Sequence, residues 1–203
     1  QLIAESTGKE GKGLVPIVDE DIGKPALYRD DRLFIYLSVG SSWNRTLDQK
    51  LQALEQAGHP VVIIRLRDTF DLAKEFFRWE VGTAVAGVIL GINPFDEPNV
   101  SESKENTRKI LEEFQATGQM PLQIEILEEE GIRLYGDPKT VLDGSIKKTF
   151  EAFLIQARPN DYLVLMAYLE PSRAHEALLQ KVRHRLRDRY CIATTLGYGP
   201  RVL

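Results

Sequence analysis

Apolar and polar positions along this chain predict strands and helices in turn. Leu33-Phe34-Ile35-Tyr36-Leu37-Ser38-Val39 is a continuous apolar run closed by Gly40, the pattern of a buried strand. Leu47, Leu51, Leu54 and Ala57 follow at helical spacing, with Ser41 or Ser42 as the cap and Gly58-His59-Pro60 as the stop. Val61-Val62-Ile63-Ile64-Arg65-Leu66 predicts a second buried strand, so the order β–α–β implies a right-handed parallel crossover. From Asp68 or Thr69 a long helix runs through Phe76, Phe77 and Trp79 into an apolar segment ending at Gly91. Residues 81–90 read as buried helix, because their alanines and glycines suit close helix packing. A proline-bracketed loop comes next, then a helix starting near Ser101 that carries Ile110, Leu111 and Phe114 and closes at Gly118. Asn99 with Glu102 reads as its N-cap and capping box. That register puts Lys104 in the first turn, where the helix dipole disfavours a cation unless an anion or a developing oxyanion docks at the same end.

From Pro121 the character shifts. Residues 122–127 leave a strand and a helix start both open, and Glu128-Glu129-Glu130-Gly131 is a charged turn whose acidic triplet reads as a solvated face. Residues 141–157 predict a helix with Ile146, Phe150, Phe153 and Leu154 apolar, and residues 161–169 a third buried strand. Pro171-Ser172 opens a helix with Ala174, Leu178, Val182 and Leu186 on one face, and Ile192-Ala193-Thr194-Thr195 begins a fourth strand. Together these elements predict a parallel-sheet α/β domain with a helical interruption in its middle.

Composition narrows the function classes. The 203 residues give room for one good-sized domain or two small ones. Lysine and arginine total 26 against 30 aspartates and glutamates, and a net charge of −4 argues against a general nucleic-acid or anionic-membrane binder. Cys191 is the single cysteine, which precludes an intrachain disulfide and favours a cytoplasmic setting. The longest apolar run, near residues 81–92, falls short of the roughly 20 residues that span a bilayer. Gln1-Leu2-Ile3-Ala4 reads as the tail of a helix, so the chain is expected to be a fragment of something longer.

Most candidate chemistry has a plain structural explanation. Gly8-Lys9-Glu10-Gly11-Lys12-Gly13 lacks the Walker spacing of a phosphate cradle. His59, His175 and His184 are scattered, with no metal-ligand partner at helical or loop spacing. Lys181, Arg183, Arg185, Arg187 and Arg189 read as the solvated face of an amphipathic helix, cations near the end where the dipole favours them. A nucleic-acid surface would add interleaved aromatics, which this helix lacks. Two residues remain. Glu5 has the chemistry to move a proton between carbons, and Lys104 to stabilise an enediolate oxygen, if the fold brings them to one substrate.

At those two stretches the chain resembles the phosphoglucose isomerase (glucose-6-phosphate isomerase) family. Glu5-Ser6-Thr7-Gly8-Lys9 is similar to the family's Glu-Ser-x-Gly-Lys motif, whose glutamate is the catalytic base. Gln1 matches a family position that contacts the sugar phosphate. The stretch from Asn93 to Lys104 resembles a second signature, Phe-Asp-Gln-x-Gly-Val-Glu-x-x-Lys, whose lysine is an active-site residue. Phe95, Asp96, Val100 and Lys104 agree with it, while Glu97, Asn99 and Ser101 replace Gln, Gly and Glu. Ala193-Thr194-Thr195-Leu196-Gly197-Tyr198-Gly199-Pro200-Arg201 resembles the branch in which a transaldolase precedes the isomerase on one polypeptide.

The resemblance implies that residues 1–203 form a single carboxyl-terminal sugar-isomerase (SIS) domain, with motifs in 1–118 and remaining strands in 119–203. Its implied fold is a three-layer, flavodoxin-like parallel sheet with helices on both faces. The implied reaction interconverts glucose 6-phosphate and fructose 6-phosphate through a cis-enediol. Glu5 would be the base, best suited to that task when partly buried. Lys104 would be the second catalytic residue, and Gln1, Glu5 and Lys104 the substrate contacts. No metal or other cofactor is implied. The implied partners are the sugar phosphate and an amino-terminal SIS domain of the same polypeptide, with a transaldolase domain and a homodimer left open and neither nucleic acid nor membrane involved. A ring-opening histidine is expected beyond Leu203. The rival reading is a non-catalytic sugar-phosphate-binding module.

Overall fold

Alternation of apolar runs with helical patterns becomes a mixed α/β structure in the computed structural model, which describes residues 2–40, 44–121, 123–140 and 144–199. In chain order the elements are α1 (Leu2–Thr7), β1 (Phe34–Val39), α2 (Arg45–Gln56), β2 (Val61–Leu66), α3 (Leu72–Leu90) and α4 (Pro98–Thr117). There follow β3 (Glu125–Glu129), β4 (Ile132–Tyr135), α5 (Ile146–Leu154), β5 (Tyr162–Ala167), α6 (Arg173–Tyr190) and β6 (Ala193–Tyr198). Two compact units interleave in sequence: Gln1–Val15 with Gly82–Gln156, and Pro16–Val81 with Ala157–Leu203.

The second unit contains the parallel strands. β1 and β2 pair in parallel, from Phe34 opposite Val61 to Val39 opposite Leu66, as the β–α–β pattern predicts. β5 and β6 do the same, from Tyr162 opposite Ala193 to Ala167 opposite Tyr198. Among the described residues each pair is its own two-stranded sheet. The apolar runs predict strands buried on both faces, whereas β1 alternates along its length and exposes Ile35, Leu37 and Val39, the period of a strand with one covered face. α2 packs on β2 through the buried Leu51 and Leu54. Its cap is Asn44, whose side chain accepts from the Leu47 amide at 3.1 Å; the expected caps Ser41 and Ser42 lie outside the described residues. Asp68 caps a 3-10 turn, Thr69–Asp71, that leads into α3.

The face of α6 is the reverse of the expected one. Leu178 and Val182 are exposed, and the buried positions are Arg183, 1 % exposed, and Arg187, 6 % exposed. Arg183 donates to the Thr194 carbonyl at 2.8 Å, the Val18 carbonyl at 2.8 Å and the Asp19 carbonyl at 3.3 Å, with Glu20 Oε2 3.7 Å away. Arg187 donates to Glu20 Oε1 at 3.1 Å and the Asp21 carbonyl at 2.6 Å. A guanidinium with five donors in a fixed fork can be buried where carbonyls and a carboxylate converge, and segment 18–21 supplies them. These two arginines therefore belong neither to a solvated face nor to a nucleic-acid surface. Burial lowers the Arg183 pKa, opposed by the nearby Glu20 and Asp19 carboxylates.

The first unit contains α1, α4, α5 and an antiparallel hairpin of β3 and β4. Glu130 and Gly131 form the hairpin's two-residue turn with φ of 51° and 80°, the geometry that matches strand twist. The acidic triplet divides its work. Glu128 lies 3.6 Å from Arg133, Glu129 accepts from the Ile146 amide at 2.9 Å, and Glu130 makes the turn. Glu129 thus caps α5 with a charge that the helix dipole favours. Residues 81–90 are helical as expected, but not buried as expected. Thr83 and Gly87 face inward, while Val85, Val88 and Ile89 are 51 %, 81 % and 80 % exposed. The small residues occupy the packed face, and the branched ones are on the other.

Candidate active site

The site begins at the end of α1, inside the first unit. The Thr7 hydroxyl, fully buried, donates to the Ile3 carbonyl at 2.6 Å and accepts from the Leu14 amide at 2.9 Å, so the chain doubles back immediately after the helix. Gly8 closes the helix on the Ala4 carbonyl at 2.8 Å, and a Cβ at Gly8 would stand 2.7 Å from that oxygen. Only glycine fits there without moving backbone. Lys9 and Lys12 exchange backbone hydrogen bonds of 3.1 and 2.9 Å across the glycine turn.

Both lysines then reach residues some eighty positions away in sequence. Lys9, its side chain 4 % exposed, donates to the Asn93 carbonyl at 2.8 Å, to the Asp96 carbonyl, and to Asp96 Oδ1 at 2.6 Å. Lys12 donates to the Leu90 carbonyl at 2.7 Å, at the C-terminal end of α3 where unpaired carbonyls and the helix dipole favour a cation. The receiving loop is itself folded back on α3. The Ile92 amide donates to the Gly87 carbonyl at 3.0 Å, and Pro94 packs so closely that a Cβ at Gly87 would meet its ring at 2.7 Å.

The start of α4 differs from the sequence expectation. Its first residue is Pro98, with Glu97 at the N-cap position making no side-chain cap bond. A proline is suited to the first helical position, where its missing N–H would have no partner. Asn99 therefore lies inside the helix and forms no capping box; its Nδ2 donates instead to the Gly8 carbonyl at 2.7 Å. Lys104 moves to the second turn, too far in for the argument from the helix N-terminus to apply. Lys104 is exposed and lines an open groove along α4 with Ser103, Thr107, Arg108, Leu111 and Glu112. Among the described residues it has no hydrogen-bond or ion-pair partner. Arg108 in the same groove is engaged, bonding Glu105 at 2.7 and 3.0 Å and also Glu112, and it holds the Glu105 carboxyl below its ordinary range.

Glu5 lies on α1 with its side chain exposed, so the partial burial expected of it is absent here. Gln1, the third candidate, lies outside the described residues, as do Pro200 and Arg201 of the third motif. Within the first unit the structure joins the two backbone stretches that carry Glu5 and Lys104. The residues that do the joining, Lys9, Lys12, Asp96 and Asn99, were not among the site residues expected from the sequence. The available signal was the pair of lysines three apart in a glycine turn, too polar for a core and too regular for a flexible linker. Among the described residues no group of three or more histidine, cysteine, aspartate or glutamate side chains could hold a metal ion, and no helix is long and apolar enough to cross a membrane.

Comparison with known proteins bears on the same chemistry. No protein-family model matches the chain, and no solved structure matches it. A curated glucose-6-phosphate isomerase of Rubrobacter xylanophilus is 34 % identical to it over 143 residues, an alignment covering 53 % of this chain and 33 % of the relative. The chain therefore spans about a third of the length of that curated relative, and what the two share is similarity to a glucose-6-phosphate isomerase over about half of this sequence.

Proposed function

We propose that this chain is the carboxyl-terminal SIS domain of a glucose-6-phosphate isomerase, three-layered when complete, that interconverts glucose 6-phosphate and fructose 6-phosphate. The observation carrying the reading is the direct bonding between the Glu5–Lys9 stretch and the 93–99 stretch. Similarity to a glucose-6-phosphate isomerase supports it independently.

In this reading the Glu5 carboxylate takes the proton from C2 of the open-chain aldose. The C–H electron pair becomes the C1=C2 bond of the enediol, and negative charge moves to the C1 oxygen. The Lys104 ammonium stabilises that charge, which a preorganised donor does without reorganising at the moment of reaction. The C2 hydroxyl proton then passes to the C1 oxygen, Glu5 returns its proton to C1 as the C2 carbonyl forms, and the ketose results. Phosphate-binding residues and the ring-opening histidine come from other parts of the complete protein, including an amino-terminal SIS domain. Gln1 is proposed as a further substrate contact.

The test is Glu5→Gln in the complete protein. Sugar-phosphate affinity should be retained while isomerisation in a coupled assay drops by about 10²-fold or more, the scale of a positioned general base. Turnover undiminished by the substitution would refute the assignment. Sugar-phosphate binding by a wild-type protein with no turnover would favour the non-catalytic module.

A further inference from the structure

Lys9 is the most buried lysine side chain among the described ion pairs, and its ammonium faces three oxygens. Two are main-chain carbonyls, of Asn93 and Asp96, and the third is Asp96 Oδ1 at 2.6 Å. An ammonium has three N–H donors and no acceptor, so this set accounts for every one of them. Nothing is left over for a substrate. The bonds instead fasten the residue four positions after Glu5 to the loop that launches the Lys104 helix. Asn99 Nδ2 on the Gly8 carbonyl adds a further bond to the same junction at 2.7 Å, and Lys12 fixes the other arm of the turn to α3. Such a junction holds the two stretches in one register.

We propose that Lys9 is a positioning residue, a buried cationic pin that fixes the Glu5 helix end against the 91–97 loop and so sets the base relative to the Lys104 helix. The proposal rests on the reading of Glu5 and Lys104 given above. It separates positioning from chemistry within one motif: Glu5 transfers the proton, and Lys9 touches no substrate. An error of about 1 Å in a reacting group can cost about 10²-fold in rate while leaving binding intact.

The test compares Lys9→Met, Asp96→Asn and Glu5→Gln in the complete protein. Affinity is read with glucitol 6-phosphate, a reduced substrate with no carbonyl to isomerise, and turnover with glucose 6-phosphate carrying hydrogen or deuterium at C2. Lys9→Met should keep the glucitol 6-phosphate Kd to within about threefold and lower kcat by roughly 10- to 100-fold, with a larger primary isotope effect because proton transfer has become limiting. Asp96→Asn keeps both carbonyl contacts and should show a smaller effect in the same direction; it carries the test if Lys9→Met does not fold. A purely structural role would lower kcat only in proportion to the binding-competent fraction, with the isotope effect unmoved, and that result overturns the proposal. Wild-type kcat in both variants, beside an inactive Glu5→Gln, overturns it while leaving the functional reading in place. An active Glu5→Gln overturns the functional reading, and the pin with it.

Discussion

Arg183 offers the sharpest test of how the second unit is held together. Replacing it by methionine keeps most of the side-chain volume and removes every donor. Three carbonyls lose a partner, but Val18 and Asp19 are exposed and water can take the place of the guanidinium there. Thr194 is fully buried, so its carbonyl is left bare, which costs about 1–3 kcal/mol. Glu20 loses its 3.7 Å contact with Arg183 but keeps Arg187 at 3.1 Å and the Thr194 hydroxyl at 3.1 Å. The loss should thus fall near the lower end of the roughly 3–5 kcal/mol seen when one partner of a buried ion pair is removed. About 3 kcal/mol is a large part of the total stability of an ordinary domain. In urea, with a slope of about 1–2 kcal/mol per molar, the midpoint should drop by about 1.5–3 M. Arg185→Met, at an exposed position on the same helix, should change stability by no more than about 0.5 kcal/mol. If the two substitutions give the same small shift, Arg183 is not buried among those oxygens and the inverted face of α6 is wrong.

Two further perturbations check the first unit and the entry to α3. Gly87→Ala should destabilise although alanine favours a helix by about 1 kcal/mol, because the new methyl meets the rigid Pro94 ring at 2.7 Å; Gly82→Ala, with nothing within 4 Å, should stabilise by about 0.5–1 kcal/mol, and thermal melts of the pair decide the sign. Asp71 bonds Arg67 through Oδ2 at 3.1 Å and Lys74 through Oδ1 at 2.5 Å, which depresses its carboxyl pKa well below the ordinary carboxylate range. Its stabilising contribution is therefore complete above the unfolded value near 4 and is lost as pH falls toward the folded value, so Asp71→Asn should flatten the acid limb of a plot of Tm against pH.

Element type was legible wherever one periodicity ran long enough. The strands around Phe34 and Val61, the helix at Leu47 and the Ser172 cap of α6, whose oxygen accepts from the His175 amide at 3.1 Å, all follow from local pattern and turn chemistry. Facing was legible on α2, where Leu51 and Leu54 are buried as their spacing predicts, but not on α6 or α3. On α6 the apolar series from Ala174 to Leu186 and the basic series from Lys181 to Arg189 compete for the packed side, and an apolar stripe is the ordinary winner. It loses because segment 18–21 presents carbonyls and Glu20 to the helix, a placement about 165 residues away in sequence that no local window contains. On α3 the same inversion has a steric cause: Gly87 permits the close approach of Pro94, whose ring would stand 2.7 Å from a Cβ at that position.

For the candidate site, the sequence offers Glu5 and Lys104 as candidates, and the structure bonds together the stretches that carry them. Glu5 and Lys104 stand out by chemistry, since a carboxylate and an ammonium are what proton transfer through an enediolate needs. Lys9, Asp96 and Asn99 do not, because their work is mutual and appears only when residues 8–12 meet residues 90–99. The Asn99 correction shows why. As an N-cap it would have spent its side chain on the helix to which it belongs, and the start of α4 would need nothing from outside. With Pro98 already fitted to the first helical position, the Asn99 amide is released to hold Gly8. The departure of Asn99 from the family's glycine is thus tied to a contact that glycine has no side chain to make. In this chain, then, the junction between the two motifs is built partly from a residue that the resemblance alone would have counted against it.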